Sequence, residues 1–390
     1  MSADLAEEPF ARVFRRFGEA CAQSSPIYAE LARVVAGDAT LLAIAAGEGG
    51  GEGGVKHPAV FFAAVQHVLA DHPDDALAGY YPSIGGERVP DAELPGVFAA
   101  FVAAHRSGIG ALLAGGRAQA NEPARAAVLR PAFGWVQACL GRPLALIEVG
   151  ASAGLLLYPE RYGYDYGFAG GEVLEAGGGQ GPLLRCRVRG AATVASLRPF
   201  VGVPLRVASR VGLDLNPLNA TDAGARAWLR ALVWPEHEER RVRLEAALAM
   251  AAHSPVRLRK GDALRILGDA VGAVSQPAVP CVFVSDTVGQ FPVADRVRFA
   301  GLVRELGAAG DLVLIVEESA AGPGLFADFA PGVSGGASGV SGGGVGVGDG
   351  VEDMETLAAV VFQSGRERVF RLGTAGAHAT WLDWAPARLS

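Results

Sequence analysis

Leu144-Ala145-Leu146-Ile147-Glu148-Val149-Gly150-Ala151-Ser152-Ala153-Gly154-Leu155-Leu156-Leu157 is an apolar run that ends on an acid, turns through small residues and restarts as an apolar segment compatible with a helix. The stretch predicts strand, tight turn, helix. In open α/β sheets such a turn sets the N–H groups of the first helical residues at the carboxyl end of a strand, where ligands bind. The alternation continues downstream, with strands expected at Leu205 to Leu213, Val256 to Arg259, Pro280 to Asp286 and Asp311 to Glu317. Helical sequence lies between them, at about Asp222 to Leu232, Glu236 to Ala252 and Val293 to Leu306. This pattern predicts an α/β fold with a Rossmann-like, doubly wound, mostly parallel sheet. Two last strands, Arg368 to Leu372 and His378 to Trp384, are expected to form an antiparallel pair at the end of the sheet, turning at Gly373-Thr374-Ala375-Gly376.

Upstream the period is that of helices. Phe10, Val13, Phe14, Phe17, Ala20 and Cys21 recur at spacings of three and four, and Pro58 opens a run with Phe61, Phe62, Val65, Val68 and Leu69 on one side. Leu94 to Leu113 reads as a helix or helix pair, and Ala126 to Leu140 as a long apolar helix stopped by Gly141-Arg142-Pro143. The expected organisation is an all-helical N-terminal domain over residues 1–140 and a sheet domain over 141–390. The latter carries an insertion at about 158–206, and glycine-rich tracts at 47–54 and 332–350 are expected to be flexible loops.

With 390 residues, half of them hydrophobic, the chain has material for two buried cores. A net charge of -7 without any cluster of Lys and Arg argues against a nucleic-acid partner. Arg185-Cys186-Arg187-Val188-Arg189 alternates and reads as a half-buried strand. The four cysteines stand apart without a CxxC pair, so they suit reduced thiols and give neither a zinc ribbon nor a disulfide framework. No metal site is expected. No run approaches the ~18 apolar residues of a membrane span, and the N-terminus lacks the apolar core of a secretory signal. A cytoplasmic protein with no membrane partner is therefore expected, its oligomeric state left open.

The chemistry gathers at the strand ends. Gly150 and Gly154 match E-x-G-x-x-x-G, and Ser152 stands where a G-x-G-x-x-G fingerprint has the glycine that admits a pyrophosphate. A dinucleotide, and with it an NAD-dependent oxidoreductase, is disfavoured; a nucleoside without phosphates needs less clearance. Glu148 can hold an ammonium, Asp214 the two hydroxyls of a ribose with Asn216 beside it, and Asp262 an exocyclic adenine amine. Asp286 closes the next strand and faces the same crevice. Each acid alone reads equally as a helix cap, but jointly they point to a small-molecule site. Candidate substrate contacts are Tyr80 and Tyr81, Asn121 and Arg125, and Tyr162 and Tyr166; candidate general bases are Asp286, Glu122 and His67. For His67 the competing reading is a structural histidine, and for Asn121 and Glu122 a cap before Pro123. A hydrolase is not indicated, because Gly-x-Ser-x-Gly is absent.

Ile147 to Gly154, Val211-Gly212-Leu213-Asp214, Gly261-Asp262-Ala263 and Val284-Ser285-Asp286 together resemble the ordered motifs of Rossmann-like S-adenosylmethionine-dependent methyltransferases. This resemblance implies S-adenosylmethionine as cofactor and methyl transfer to a small molecule. The alternative is a non-catalytic nucleoside- or small-molecule-binding protein of the same fold. Gly150 and Asp214 are separated by far more than the ~20 residues usual between a glycine turn and a ribose acid. Over nearly its whole length the chain is also similar to the bacterial family of unknown function DUF2332. That likeness is carried by Tyr80-Tyr81-Pro82-Ser83, Gln119-Ala120-Asn121-Glu122, Glu148 to Leu155, Tyr162-x-Tyr164-Asp165-Tyr166-Gly167, Gly212 to Pro217 and Trp228 to Pro235, and it implies no particular reaction.

Overall fold

A computed structural model describes residues 9–47, 57–115, 119, 121–320, 324–330 and 354–389. They fall into two compact units. The described residues of Met1–Ala120 join Asp222–Glu245 in one, and those of Asn121–Thr221, Ala246–Gly344 and Glu352–Ser390 form the other. The tract at 332–350 and most of that at 47–54 lie outside the described residues.

The first unit is helical: α1 (Pro9–Cys21), α2 (Pro26–Gly37), α3 (Ala39–Ala46), α4 (Pro58–Leu69), the pair α5 (Leu94–Ala104) and α6 (Arg106–Gly115), and, later in the chain, α9 (Ala223–Ala231). The starts follow the capping chemistry of the sequence. Ser25 Oγ accepts from Tyr28 N ahead of α2, and Asp38 Oδ1 accepts from Thr40 N and Leu41 N ahead of α3. Phe14, Tyr28, Phe61, Phe62 and Phe98 form the centre of its core. Buried Gln66 donates through Nε2 to the carbonyls of Ala231 (3.0 Å) and Val233 (2.7 Å), satisfying the end of α9 from α4.

The second unit is built on one sheet of eleven strands: β1 (Leu144–Val149), β2 (Gly163–Gly167), β3 (Val173–Gly177), β4 (Leu183–Arg189), β5 (Val207–Asp214), β6 (Arg257–Lys260), β7 (Val279–Ser285), β8 (Leu312–Ser319), β9 (Met354–Gln363), β10 (Arg366–Gly376) and β11 (Trp381–Arg388). Their order is β3-β2-β4-β11-β10-β9-β8-β7-β1-β5-β6. From β6 to β8 all pairings are parallel. The chain runs from β1 outward through β5 to β6, then returns to the other side of β1 for β7 and β8. The direction of growth therefore reverses between β1 and β7, where open α/β sheets open a crevice. All six residues of β1 are buried, as a central strand covered on both faces requires. On one face α11 (Ala263–Gly272) and α12 (Val293–Ala309) pack Leu267, Phe299 and Val303 against Ile147, Val149, Val282 and Val284. On the other, α7 (Ala126–Leu140) sets Phe133 on Phe283, ring centroids 5.2 Å apart. The remaining helices of the chain are α8 (Val194–Val201), α10 (Glu238–His253) and α13 (Leu325–Phe329).

Three expectations are corrected. The apolar restart after Gly154 is a single 3-10 turn, Leu155–Leu157, instead of a helix. All three leucines are buried, which leaves no polar side for a surface helix. Pro159 then disfavours helical geometry at Tyr158, whose φ of -119° and ψ of 40° already leave the helix. Gly373 to Gly376 are the end of β10, and the reversal falls at Ala377–Ala379. These glycines serve close strand approach: a Cβ on Gly373 would overlap the carbonyl oxygen of Asp383 across the β10–β11 pair. Finally, the closing pair is internal to the sheet. The unpredicted β9 joins it to β8, and β11 pairs in parallel with β4, so the insertion at 158–206 extends the same sheet. All four cysteines are free, three of them buried. Among the described residues no single helix is long and apolar enough to cross a membrane.

Candidate functional site

The turn after β1 is a left-handed one: φ is 81° at Gly150, 49° at Ser152 and 70° at Gly154. Gly150 has a steric reason as well, since a Cβ there would overlap Oγ1 and Cγ2 of Thr287, just past β7. Four of the five N–H groups from Gly150 to Gly154 are bonded inside the protein. Gly150 N and Ala151 N donate to Leu213 O (2.8 and 3.3 Å), Ser152 N to Asp214 Oδ2 (2.8 Å) and Gly154 N to Ala151 O (2.6 Å). No α-helix follows directly, and the turn is pinned to the head of β5. Asp214 Oδ1 also accepts from Asn216 N (2.7 Å). Asn121 Nδ2 donates to Ala151 O (3.1 Å), bringing the chain ahead of α7 to the same turn. Ser152 Oγ, Asn121 Oδ1 and Glu148 Oε2 are buried and have no partner among the described residues.

Beside the turn, acids from several strand ends surround one arginine. Arg125 ends the 3-10 turn Pro123–Arg125 that leads into α7, and its buried guanidinium donates to Asp286 Oδ2 (2.7 Å). Asp286 follows β7 at a φ of 51° and is fixed by its own N–H, which donates to Glu317 O (2.9 Å). Ser285 stands opposite Glu317 in the β7–β8 register, and its Oγ donates to Glu317 Oε2 (2.6 Å). Across the next pairing Glu317 faces Leu357, so Glu355, two residues from Leu357 on β9, is its diagonal neighbour on the same face. Glu148, in the β1 register beside Phe283, lies on that face too.

The electrostatics follow from this crowding. Burial pushes the Glu148 carboxyl well above the usual range; Asp214 adds to the effect and Arg125 opposes it. Burial also raises Glu317, against Arg125 and Ser285, and it raises Glu355 well above its ordinary value with help from Glu317. Burial works against the charge on Arg125, but Asp286, Glu355 and Glu317 outweigh it and keep the guanidinium ionised.

The other residues singled out in the sequence have different duties. Glu122 caps the turn before α7, its Oε1 accepting from Ala124 N (3.0 Å). Asp262 caps α11 by accepting from Leu264 N (2.9 Å), with a side chain 45% exposed. Tyr162 and Tyr166 are fully buried and donate to Leu155 O (2.6 Å) and Ala127 O (2.8 Å), so neither hydroxyl is left to contact a substrate. Tyr166→Phe is expected to cost about 1–3 kcal/mol in urea unfolding, the penalty of a buried carbonyl left without its donor. His67, Tyr80 and Tyr81 belong to the other unit. There Tyr80 donates to Asp91 Oδ1 (2.6 Å) under the Arg88 guanidinium, Tyr81 packs edge-on to Tyr28, and the His67 ring lies 6.3 Å from that of Trp228. Sequence reading missed Glu317 and Glu355 as site residues. Glu317 carried a signal, an acid closing an apolar strand as Glu148 does; Glu355 follows a glycine-rich tract and carried none.

Geometry of this kind defines an α/β protein with helices on both faces of a mostly parallel sheet and a cluster of mostly buried acids near the point where the strand order reverses. The chain belongs to the family described as "Uncharacterized protein conserved in bacteria (DUF2332)", whose model matches residues 11–384. No curated protein and no solved structure matches it.

Proposed function

We propose that the crevice at the ends of β1, β5 and β7 binds S-adenosylmethionine and that the protein transfers its methyl group to a small molecule. The observation that carries this reading is the placing of Glu148, Asp214 and Asp286 at the carboxyl ends of three neighbouring strands at the reversal point. The residues fit a nucleoside bearing an amine and hydroxyls. Asp214 is an acidic acceptor of the kind that ribose hydroxyls pair with, and Glu148, Ser152 and Asn121 hold buried polar atoms without partners among the described residues. Phosphates are disfavoured, because four of the turn's five N–H groups are already bonded within the protein and the surroundings are acidic. The cofactor would supply the electrophilic methyl group. The chain would supply position, Asp214 orienting the ribose and Arg125 fixing Asp286 at the crevice. Of the candidate bases, Asp286 directly follows one of these strands and takes the role, while Glu122 Oε1 is engaged in its cap.

Calorimetry with S-adenosylmethionine and S-adenosylhomocysteine tests this. Binding of both is expected, and Asp214→Ala should weaken each at least tenfold, or about 1.4 kcal/mol. No heat and no thermal shift from either compound would overturn the reading. The spent donors of the β1 turn favour a second one, a non-catalytic nucleoside- or small-molecule-binding protein, under which Asp214→Ala leaves binding unchanged.

A further inference from the structure

Four carboxyls, those of Glu148, Asp286, Glu317 and Glu355, act on a single buried guanidinium, that of Arg125. One cation cannot neutralise four acids, and desolvated charge without a partner is costly. The set must therefore either hold protons or receive a further cation. An independent observation points to the second possibility. Glu148 is 3% exposed, its Oε2 is buried, and no described group donates to it. Arg125 Nε is likewise buried without a described partner. A cluster built only for stability would have closed these positions. Among the described residues no three His, Cys, Asp or Glu groups are arranged to hold a metal ion, and acids repel a phosphate. The fitting ligand group is an organic cation, a sulfonium or an ammonium.

We propose that Glu317 and Glu355 hold one proton between them in the resting protein, and that an organic cation entering the crevice beside Asp286 expels it to solvent. The register supplies the wiring. Ser285 donates to one oxygen of Glu317, Glu355 meets Glu317 across the β8–β9 pairing, and Asp286 is tied to Glu317 through its backbone N–H and to Arg125 through its side chain. Other ionisable groups on this side of the pair are Glu148 from β1, on the same sheet face, and Cys186 from β4, which acts on Glu317. The proton balance is simple: one positive charge enters, one proton leaves, and no bond to carbon changes. This inference rests on the reading of the crevice given above and specifies the chemistry of its ligand.

Infrared spectroscopy of the full chain tests it. The wild type at neutral pH is expected to show the carbonyl stretch of a protonated carboxyl, and Glu355→Gln and Glu317→Gln should each remove it. S-adenosylmethionine should remove it as well, whereas S-adenosylhomocysteine, which lacks the sulfonium charge, should leave it. Correspondingly, the ratio of the two affinities should rise with pH by up to about tenfold per unit while the proton is held. A wild type without the band, or a band that survives in both variants, overturns the inference. So does S-adenosylmethionine that binds without diminishing the band, although the proposed function then stands. If neither adenosyl compound binds, the proposed function falls. Trimethylsulfonium then decides: loss of the band supports a proton-coupled cation site, and a band retained at the highest soluble concentration overturns it.

Discussion

Arg125→Met is expected to destabilise the protein by about 3–5 kcal/mol at pH 8, the scale found when one partner of a buried ion pair is removed. Methionine keeps much of the packing volume, so the loss reports the charge. Without the guanidinium, Asp286, Glu317, Glu355 and Glu148 face one another with no buried cation beside them. The loss should shrink as the pH falls towards 5, because protonation then relieves the repulsion. In the wild type, Glu317 and Glu355 are raised above the range of unfolded glutamates. Between the ordinary glutamate range and the raised one, the folded protein binds more protons than the unfolded chain. Stability falls as pH rises from the ordinary glutamate range through the raised one, and the contribution is fully present only below it. Glu355→Gln keeps a neutral donor beside Glu317 and should flatten that slope. Urea midpoints at several pH values read all three proteins. A loss in Arg125→Met that is equal at pH 5 and pH 8 would mean that the arginine serves packing alone.

What could be seen in the sequence and what could not divide along a physical line. β1 was legible because a strand buried on both faces must be continuously apolar, and the end of α7 because Gly141 takes the left-handed conformation that stops a helix. Leu155-Leu156-Leu157 was misread because an apolar triplet suits any buried backbone, and only Pro159 and the demands of the following strands settle its form. Gly373 and Gly376 resembled turn residues, yet their use depends on Asp383 and Trp381, which approach from another strand. Asp214 and Asp262 stand alike at strand ends in the sequence. One accepts from Ser152 N on a neighbouring turn, the other from Leu264 N two residues on, and the difference lies in which N–H the fold brings near. Glu355 was invisible for the same reason, since its place beside Glu317 is a matter of register between strands separated by a glycine-rich tract.

Gly150→Ala is the other substitution with a large expected effect, and its cause separates into two parts. At a φ of 81° an L side chain costs about 1–2 kcal/mol in backbone energy alone. The new methyl would also overlap Oγ1 and Cγ2 of Thr287 and lie 2.8 Å from its Cβ, an overpacking cost of about 1–3 kcal/mol. Thr287→Ala removes the two closest atoms, leaves the Cβ at 2.8 Å, and gives up the Cγ2 methyl and the hydrogen bond from Thr287 Oγ1 to Ser285 O (3.1 Å). The double variant should therefore be more stable than the sum of the single losses predicts, by about 1–3 kcal/mol, while retaining the backbone part. The coupling matters for the site because Thr287 follows Asp286 directly. A methyl at 150 that pushes Thr287 away also draws Asp286 from Arg125, so the pH dependence of stability should change in Gly150→Ala and return in the double variant. Strictly additive losses would show that the turn relaxes elsewhere, and that Gly150 does not set the closure between β1 and β7.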